Sequence, residues 1–251
     1  MTASGSRMNP DKARLWNAES GPAEGYEPET VRVFEKVLTA GDNVLVCGAH
    51  QGFFVRKCAE LVGSTGRVFG FEPEPRNFAL LTEKCGGMDN VTLFNCALGD
   101  REATAKFFVN ADNDGGHALW DVSKNPFNVE TQKEHRTIDV QVKTIDGLFE
   151  DVPFKLLMLD AEGSEHAILR GGINNMVDNE VPYIVCEIND AALRACGTSQ
   201  MELREYLAFY GYKVFWLDRD KSVDIGRDEW RVTADGEAVI FNVLFSRKGG
   251  L

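Results

Sequence analysis

The sequence has no C-x-x-C pair, although it contains 6 cysteines. Cys47, Cys58, Cys85, Cys96, Cys186 and Cys196 stand apart, so their spacing encodes neither a zinc knuckle nor a dithiol redox centre. Most lie in apolar runs, where a reduced thiol packs as a small hydrophobe. No apolar stretch approaches the roughly 20 residues of a membrane-spanning helix. No secretory leader opens the chain, and a reduced, cytoplasmic setting is the expectation. Basic residues are also scarce: 27 Lys and Arg face 39 Asp and Glu, leaving a formal net charge of −12. No Lys/Arg-rich run offsets that field, so neither nucleic acid nor membrane is expected as a partner. Two glycine signatures are missing as well. Without G-x-x-x-x-G-K-[ST] a P-loop is excluded, and without G-x-G-x-x-G a nicotinamide dinucleotide is disfavoured.

What is present suffices for a full core. The chain has 251 residues, of which 43% are hydrophobic and 26% charged, so it needs no disulfide or metal staple. The TASGSR that follows Met1 reads as a leftover of recombinant expression. Residues 1–25 are expected to be that leftover plus an N-terminal extension, and residues 26–251 a single domain.

Within that domain, strand and helix patterns alternate. Pro28–Ala40 carries Val31, Phe34, Val37 and Leu38 on one helical stripe, ended by Gly41. Asn43–Cys47 (NVLVC) is apolar without alternation, as suits a strand covered on both faces. Similar strands are expected at Arg67–Phe71, Val91–Asn95, Phe154–Leu159, Tyr183–Ile188, Lys213–Leu217 and Ala238–Ser246. Helices are expected at Phe53–Val62, Pro75–Lys84, from Glu165, and at Gln200–Tyr210. The pattern predicts an α/β, Rossmann-like, doubly wound, mostly parallel sheet of seven strands. The last two strands lack an intervening helix and should pair as an antiparallel hairpin. Thr104–Val109 and Thr137–Val142 alternate in strand fashion and should form an added antiparallel pair.

The first strand runs into VLVCGAHQGFF, Val44–Phe54. Gly48 lets the chain turn sharply, and Gly52 lets backbone approach a ligand where a helix begins. Glu72 stands at the end of the second strand, where a carboxylate can accept from both hydroxyls of a ribose. Loop and acid together point to a nucleoside-bearing ligand.

Five motifs, in order, carry a wider resemblance: VCGAHQG at Val46–Gly52, FEPEP at Phe71–Pro75, CALGD at Cys96–Asp100, KTID at Lys143–Asp146 and MLDAEGSE at Met158–Glu165. Spanning about Val44 to Glu187, they resemble the FkbM family of class I S-adenosylmethionine-dependent methyltransferases. The resemblance implies the fold described above, S-adenosylmethionine as cofactor, and O-methylation of a sugar or natural-product hydroxyl. It implies that Gly48, Ala49, His50 and Gly52 line the methionine part, Glu72 holds the ribose, and Cys96 and Ala97 lie beside the adenine. The sequence departs from the family pattern at Val46, where the family has an acid; at His50, where it has Asn; and at Met158, where it has Lys. Val46 cannot accept a hydrogen bond, whereas His50 offers a donor to the cofactor carboxylate. These departures motivate an alternative, a methyltransferase-like binding protein with weakened cofactor affinity. A nicotinamide-dependent oxidoreductase on a similar sheet is a third reading, which the final hairpin opposes.

Asp160 follows the fourth strand and Glu187 ends the fifth, so two carboxylates should converge at the mouth of the sheet, with Glu162 as a third. Three roles stay open. Asp160 or Glu162 takes a proton from an acceptor hydroxyl. Asp160 and Glu187 hold Mg²⁺ or Ca²⁺ as oxygen ligands. Or the acids cap helix starts and hold the cofactor's ammonium, which also makes Asp160 a cofactor-binding residue. Asn110–Asn128, a polar stretch with His117, Trp120 and Phe127, is expected to recognise a small-molecule or saccharide acceptor, or else to be a bare excursion between strands. His117 is an alternative base, His135 a surface residue and His166 a packing or solvent residue.

Overall fold

Apolar runs without polar alternation become strands buried on both faces. The computed structural model describes residues 16–17, 21–22, 25–217, 222–224 and 240–251. The segment assigned to expression, Met1–Arg7, therefore lies outside the described residues. Strands β1 (Trp16–Asn17) and β2 (Gly21–Pro22) form a small antiparallel ribbon ahead of the domain. Next come α1 (Pro28–Val37), β3 (Asn43–Cys47), α2 (Phe53–Val62), β4 (Arg67–Phe71), α3 (Pro75–Cys85) and β5 (Val91–Phe94). Short β6 (Ala97–Leu98) and β7 (Ala103–Phe108) precede α4 (Val129–Glu134), β8 (Thr137–Lys143) and α5 (Ile145–Leu148). The chain continues through β9 (Phe154–Leu159), α6 (Glu165–Arg170), α7 (Ile173–Asp178), β10 (Tyr183–Ile188), α8 (Asp190–Ala195), α9 (Gln200–Phe209), β11 (Lys213–Leu217), β12 (Ser222–Asp224) and β13 (Phe241–Ser246).

The main sheet runs β12-β11-β13-β10-β9-β3-β4-β5. Strands β5, β4, β3, β9 and β10 are mutually parallel, and β13 lies antiparallel between β10 and β11. The seven anticipated strands and their terminal hairpin are present, giving the class I methyltransferase arrangement. The short edge strand β12 makes an eighth, which the sequence pattern did not announce. The described part of the last strand starts at Phe241, and Ala238 lies outside the described residues.

Successive residues of NVLVC feed opposite faces. Leu45 and Cys47 join one apolar layer with Leu157, Leu159, Ile168 and Leu203. Val44 and Val46 join the other with Phe34, Val55, Met158 and Leu81. Fully burying each such aliphatic side chain contributes about 1.5–3 kcal/mol. This is why both faces must be apolar and why the strands show no polar alternation. The anticipated antiparallel pair is β7 with β8, from Ala103 opposite Val142 to Phe108 opposite Thr137. Strand β6 adds to it in parallel, making a three-stranded second sheet.

The chain winds from β3 outward through β4 to β5, then crosses back to β9 on the other side of β3. Loops leaving β3 and β9 therefore diverge, and a crevice opens at the carboxyl ends of those two strands.

Candidate active site

The turn after β3 is fastened to β4. Gly48 and Ala49 both donate their N–H to the Phe71 carbonyl, at 3.1 and 2.9 Å. Gly48 has φ 78°, and a Cβ built on it would fall on the carbonyl oxygen of Asp160. Only glycine allows the two loops to touch at their first residues, Gly48 and Asp160, before they diverge. His50 also adopts a left-handed backbone, φ 47°, and its N–H donates to Glu72 Oε2 at 2.9 Å. The second oxygen of Glu72 accepts from the N–H of Glu74 at 2.8 Å. Glu72 thus stands at the end of β4 with both oxygens anchored and the carboxylate on a cavity wall. Burial pushes it up to about 8, against the pull of those two N–H groups, with Glu74 and Asp114 adding to the rise.

The cavity measures about 1130 Å³ and runs from this turn to the acids of β9 and β10. Gly48, Ala49, His50, Glu72, Ala97, Asp160, Glu162 and Glu187 all line it. Two other residues expected on the wall are not there. The Cys96 side chain joins the apolar core instead, and Gly52 packs against Leu81 and Cys85 of α3. Val46 is also off the wall, fully buried beside Met158 in the neighbouring strand. Parallel pairing sets Cys186 opposite Leu159, which brings Glu187 level with Asp160.

The turn Asp160–Gly163 is held from several sides. Glu162 has φ 47°, a conformation that a side-chain-bearing residue adopts only where its surroundings impose it. Beneath it, the buried carboxylate of Glu165 accepts from Ala161 N–H at 2.8 Å and from Gly163 N–H at 3.0 Å. Burial raises Glu165 to about 7, and Asp160 adds to the rise. The Trp120 indole donates to the Glu162 carbonyl at 2.9 Å, and the Asn189 amide donates to Glu162 Oε2 at 3.2 Å. Capping in this turn therefore falls to Glu165, whose place in the sequence marks only the start of a helix.

Two more residues arrive from the start of α1. Tyr26 lines the cavity with its ring against Phe53 and Phe54, at centroid distances of 5.5 and 6.0 Å. Burial first, then the charges of Glu27, Asp160 and Glu187, hold its phenol well above the usual range, so it stays protonated. Glu27, also on the wall, accepts from Asn242 at 2.5 Å and from Thr30 at 3.3 Å.

Asn110–Asn128 is an ordered roof. Asn110 Oδ1 accepts from the N–H of Asp112 and of Asn113, at 2.9 and 3.0 Å. Asp112 in turn caps α4, accepting from Glu130 and Thr131 N–H at 2.9 and 2.8 Å. His117 Nδ1 accepts from Asn110 N–H at 2.9 Å, so the neutral ring carries its proton on Nε2. That bond occupies the basic nitrogen and makes His117 a builder of the loop. His166 bonds Thr198 at 2.7 Å and packs on Tyr206, away from the cavity, whereas His135 is exposed. Among the described residues no group of three or more His, Cys, Asp or Glu is placed to hold a metal ion. Nor is any described helix long and apolar enough to cross a membrane.

A model of the methyltransferase FkbM domain matches residues 47–214, well over half of the chain. The chain belongs to the FkbM methyltransferase domain family. This FkbM-domain chain is 25% identical over 163 residues to the 2-O-methyltransferase NoeI of Sinorhizobium fredii, an alignment covering 60% of this chain and 64% of NoeI. The chain thus spans less than two thirds of that relative. Among solved structures, it is similar to an rRNA methylase from Streptococcus thermophilus, with TM-score 0.47 and 13% identity, covering 89% of this chain and 98% of that one. A SAM-dependent O-methyltransferase from Thermotoga maritima is similar at TM-score 0.45 and 13% identity, with 90% of this chain and 66% of that one covered.

Proposed function

We propose that this protein is an S-adenosylmethionine-dependent O-methyltransferase acting on a hydroxyl of a saccharide or related small molecule. The observation that carries the reading is the continuity of one cavity from Glu72 and the glycine turn to Asp160, Glu162 and Glu187. The residues suit the cofactor. A buried carboxylate fits the two hydroxyls of a ribose, and Gly48 leaves the turn free of side chain where the amino-acid end would lie. Ala49 and His50 border that end, Ala97 the base, and Asp160 the ammonium. Gly52 and Cys96 support these walls from behind. When bound, the cofactor supplies a methyl group already activated on sulfonium.

The chain must add an acceptor oxygen held in line and, for a hydroxyl, a group to take its proton. We assign that proton to Glu162, because its strained backbone and its bonds to Trp120 and Asn189 fix it at the cavity wall. Asp160 and Glu187 keep the site negative, which favours a cationic ligand and disfavours a polyanion. Similarity to a protein named as a 2-O-methyltransferase supports oxygen as the acceptor atom.

Calorimetric titration with S-adenosylmethionine, S-adenosylhomocysteine and NAD(H) tests the reading. Binding of the first two, and not of NAD(H), is expected. Above about pH 8, where the carboxyl is ionised, Glu72→Ala should weaken S-adenosylhomocysteine by about 1.5–3 kcal/mol, the worth of hydrogen bonds to a charged group. Absent or millimolar binding of both sulfur nucleosides favours instead the binding-protein reading that Val46 and His50 motivate. EDTA and added Mg²⁺ in a methyl-transfer assay test the other role for Asp160 and Glu187, as oxygen ligands of a divalent ion.

A further inference from the structure

The roof begins as a closed flap. Phe108 and Ala118 exchange backbone hydrogen bonds of 2.8 and 3.1 Å, which fastens its base to the second sheet. Asn113 then tightens the tip, its side chain accepting from Gly115 N–H at 3.1 Å and its carbonyl from Gly116 N–H at 3.0 Å. Asp114 stands at that tip and reaches off the flap. Its Oδ2 lies 3.3 Å from His50 Nε2 and accepts from Gln51 Nε2 at 3.5 Å, both on the glycine turn. Its carbonyl accepts from Asn77 Nδ2 at 3.3 Å, on the first turn of α3. Its Oδ1 faces His117 Nε2 at 3.7 Å, which ties the tip back to the flap.

These contacts bracket Glu72, since His50 donates to it on one side and, on the other, Asn77 N–H bonds Glu74, whose own N–H donates to Glu72. The flap therefore crosses the end of the cavity that holds Glu72. The later part of the roof does something else: Trp120 sits on the Glu162 carbonyl, and Phe127 is 39% exposed on the cavity rim. The His50 and Asp114 side chains are 19% and 39% exposed, so the pair is only partly shielded and acts together with the Gln51 and Asn77 bonds to hold the flap.

We propose that Asp114 is a positioning residue that latches residues 109–117 onto His50, and that this flap governs cofactor retention while residues 118–128 border the acceptor. The inference rests on the reading above that the nucleoside lies at Glu72. It also gives His50 a second use, since its imidazole fastens the flap as well as bordering the cofactor.

The test measures S-adenosylhomocysteine dissociation by stopped-flow for the parent, D114N, H50A and the double variant. Each single substitution should speed dissociation about tenfold, equivalent to about 1.4 kcal/mol, with no further gain in the double variant. Acceptor KM should stay unchanged in D114N. In the ligand-free protein, the amides of residues 111–116 should lose hydrogen-exchange protection in both single variants. H50A leaves the flap's own turn intact, so the test survives if D114N folds poorly. An unchanged dissociation rate in H50A overturns the latch, as does a double variant whose effects simply add. A parent that does not bind S-adenosylhomocysteine at all overturns the functional reading and the latch with it.

Discussion

Replacing Glu72 by Gln removes an ionisable group whose charged form the fold buries at a cost. The residue is 5% exposed, and burial lifts its carboxyl from the ordinary 4.5 to about 8. An acid whose folded value lies above its unfolded one binds its proton more tightly in the native state. Its stabilising contribution is therefore complete below the unfolded value and is lost as pH rises through the folded one. At 1.36 kcal/mol per pH unit, the interval amounts to at most about 5 kcal/mol. Gln carries no such pH dependence. It does sacrifice one of the two acceptor oxygens facing His50 and Glu74, a pH-independent loss of about 1–3 kcal/mol. The stability of the parent relative to E72Q should therefore fall steadily from about pH 5 to about pH 8.5, shifting the Tm difference by about 2–4 °C per kcal/mol. Melting curves of both proteins across that range provide the assay. Subtraction cancels the other buried acids, among them Glu165, itself raised to about 7. A second arm uses 5′-methylthioadenosine, a nucleoside without an amino-acid end. Its affinity for the parent should rise as pH climbs through about 8, where ionised Glu72 offers more acceptor capacity to the ribose. Melting curves that stay parallel would refute the burial argument, and a flat affinity profile in the parent would refute the ribose assignment.

Three further outcomes follow from the same geometry. In Gly48→Ala the new methyl meets the Asp160 carbonyl, and the left-handed backbone alone costs about 1–2 kcal/mol; a lower Tm and at least about tenfold weaker S-adenosylhomocysteine binding are expected by fluorimetry and calorimetry. Glu165→Gln leaves one oxygen to accept from both Ala161 and Gly163 N–H and turns an NH2 toward the Asp160–Gly163 turn, a loss of about 1–3 kcal/mol by urea unfolding, with kcat falling more than the KM for cofactor changes; an unaltered kcat would show that the turn does not need this clamp. Tyr26→Phe deletes a phenol that bonds Glu27 and feels the charges of Asp160 and Glu187; acceptor kcat/KM should drop about tenfold while S-adenosylhomocysteine affinity holds, and a loss confined to cofactor binding would move Tyr26 to the other end of the cavity.

The fold was legible because each parallel strand must be apolar on both faces. Val44 and Val46 go one way, Leu45 and Cys47 the other, and the sequence shows this as a run without alternation. Position along a strand fixed much of the site for the same reason. Asp160, Glu187 and Glu72 follow or end strands whose carboxyl ends share one rim, so strand order alone brings them together. Cys96 shows the limit of reasoning from position. It lies between two strands at the right level, but its side chain points into the core, leaving Ala97 on the wall. The roof was legible only as composition. Its shape depends on which N–H groups Asn110 and Asp112 accept from, and the residue types do not specify those pairings.

Tyr26 and Glu27 lie between these cases, since a signal for them exists in the sequence. Pro28 marks a helix start, because proline suits the first turn, and Gly41 marks the turn that leads into the first parallel strand. A helix joined to a strand by so short a link runs back along it, so its start must lie over the strand's carboxyl end. Whatever precedes Pro28 is thereby delivered to the rim where the ligand site forms. The observed hydrogen bond from Asn242 to Glu27, with Asn242 paired opposite Glu187, is the physical result of that geometry. Helix direction, more than helix periodicity, therefore identifies which residues outside the sheet can reach the chemistry.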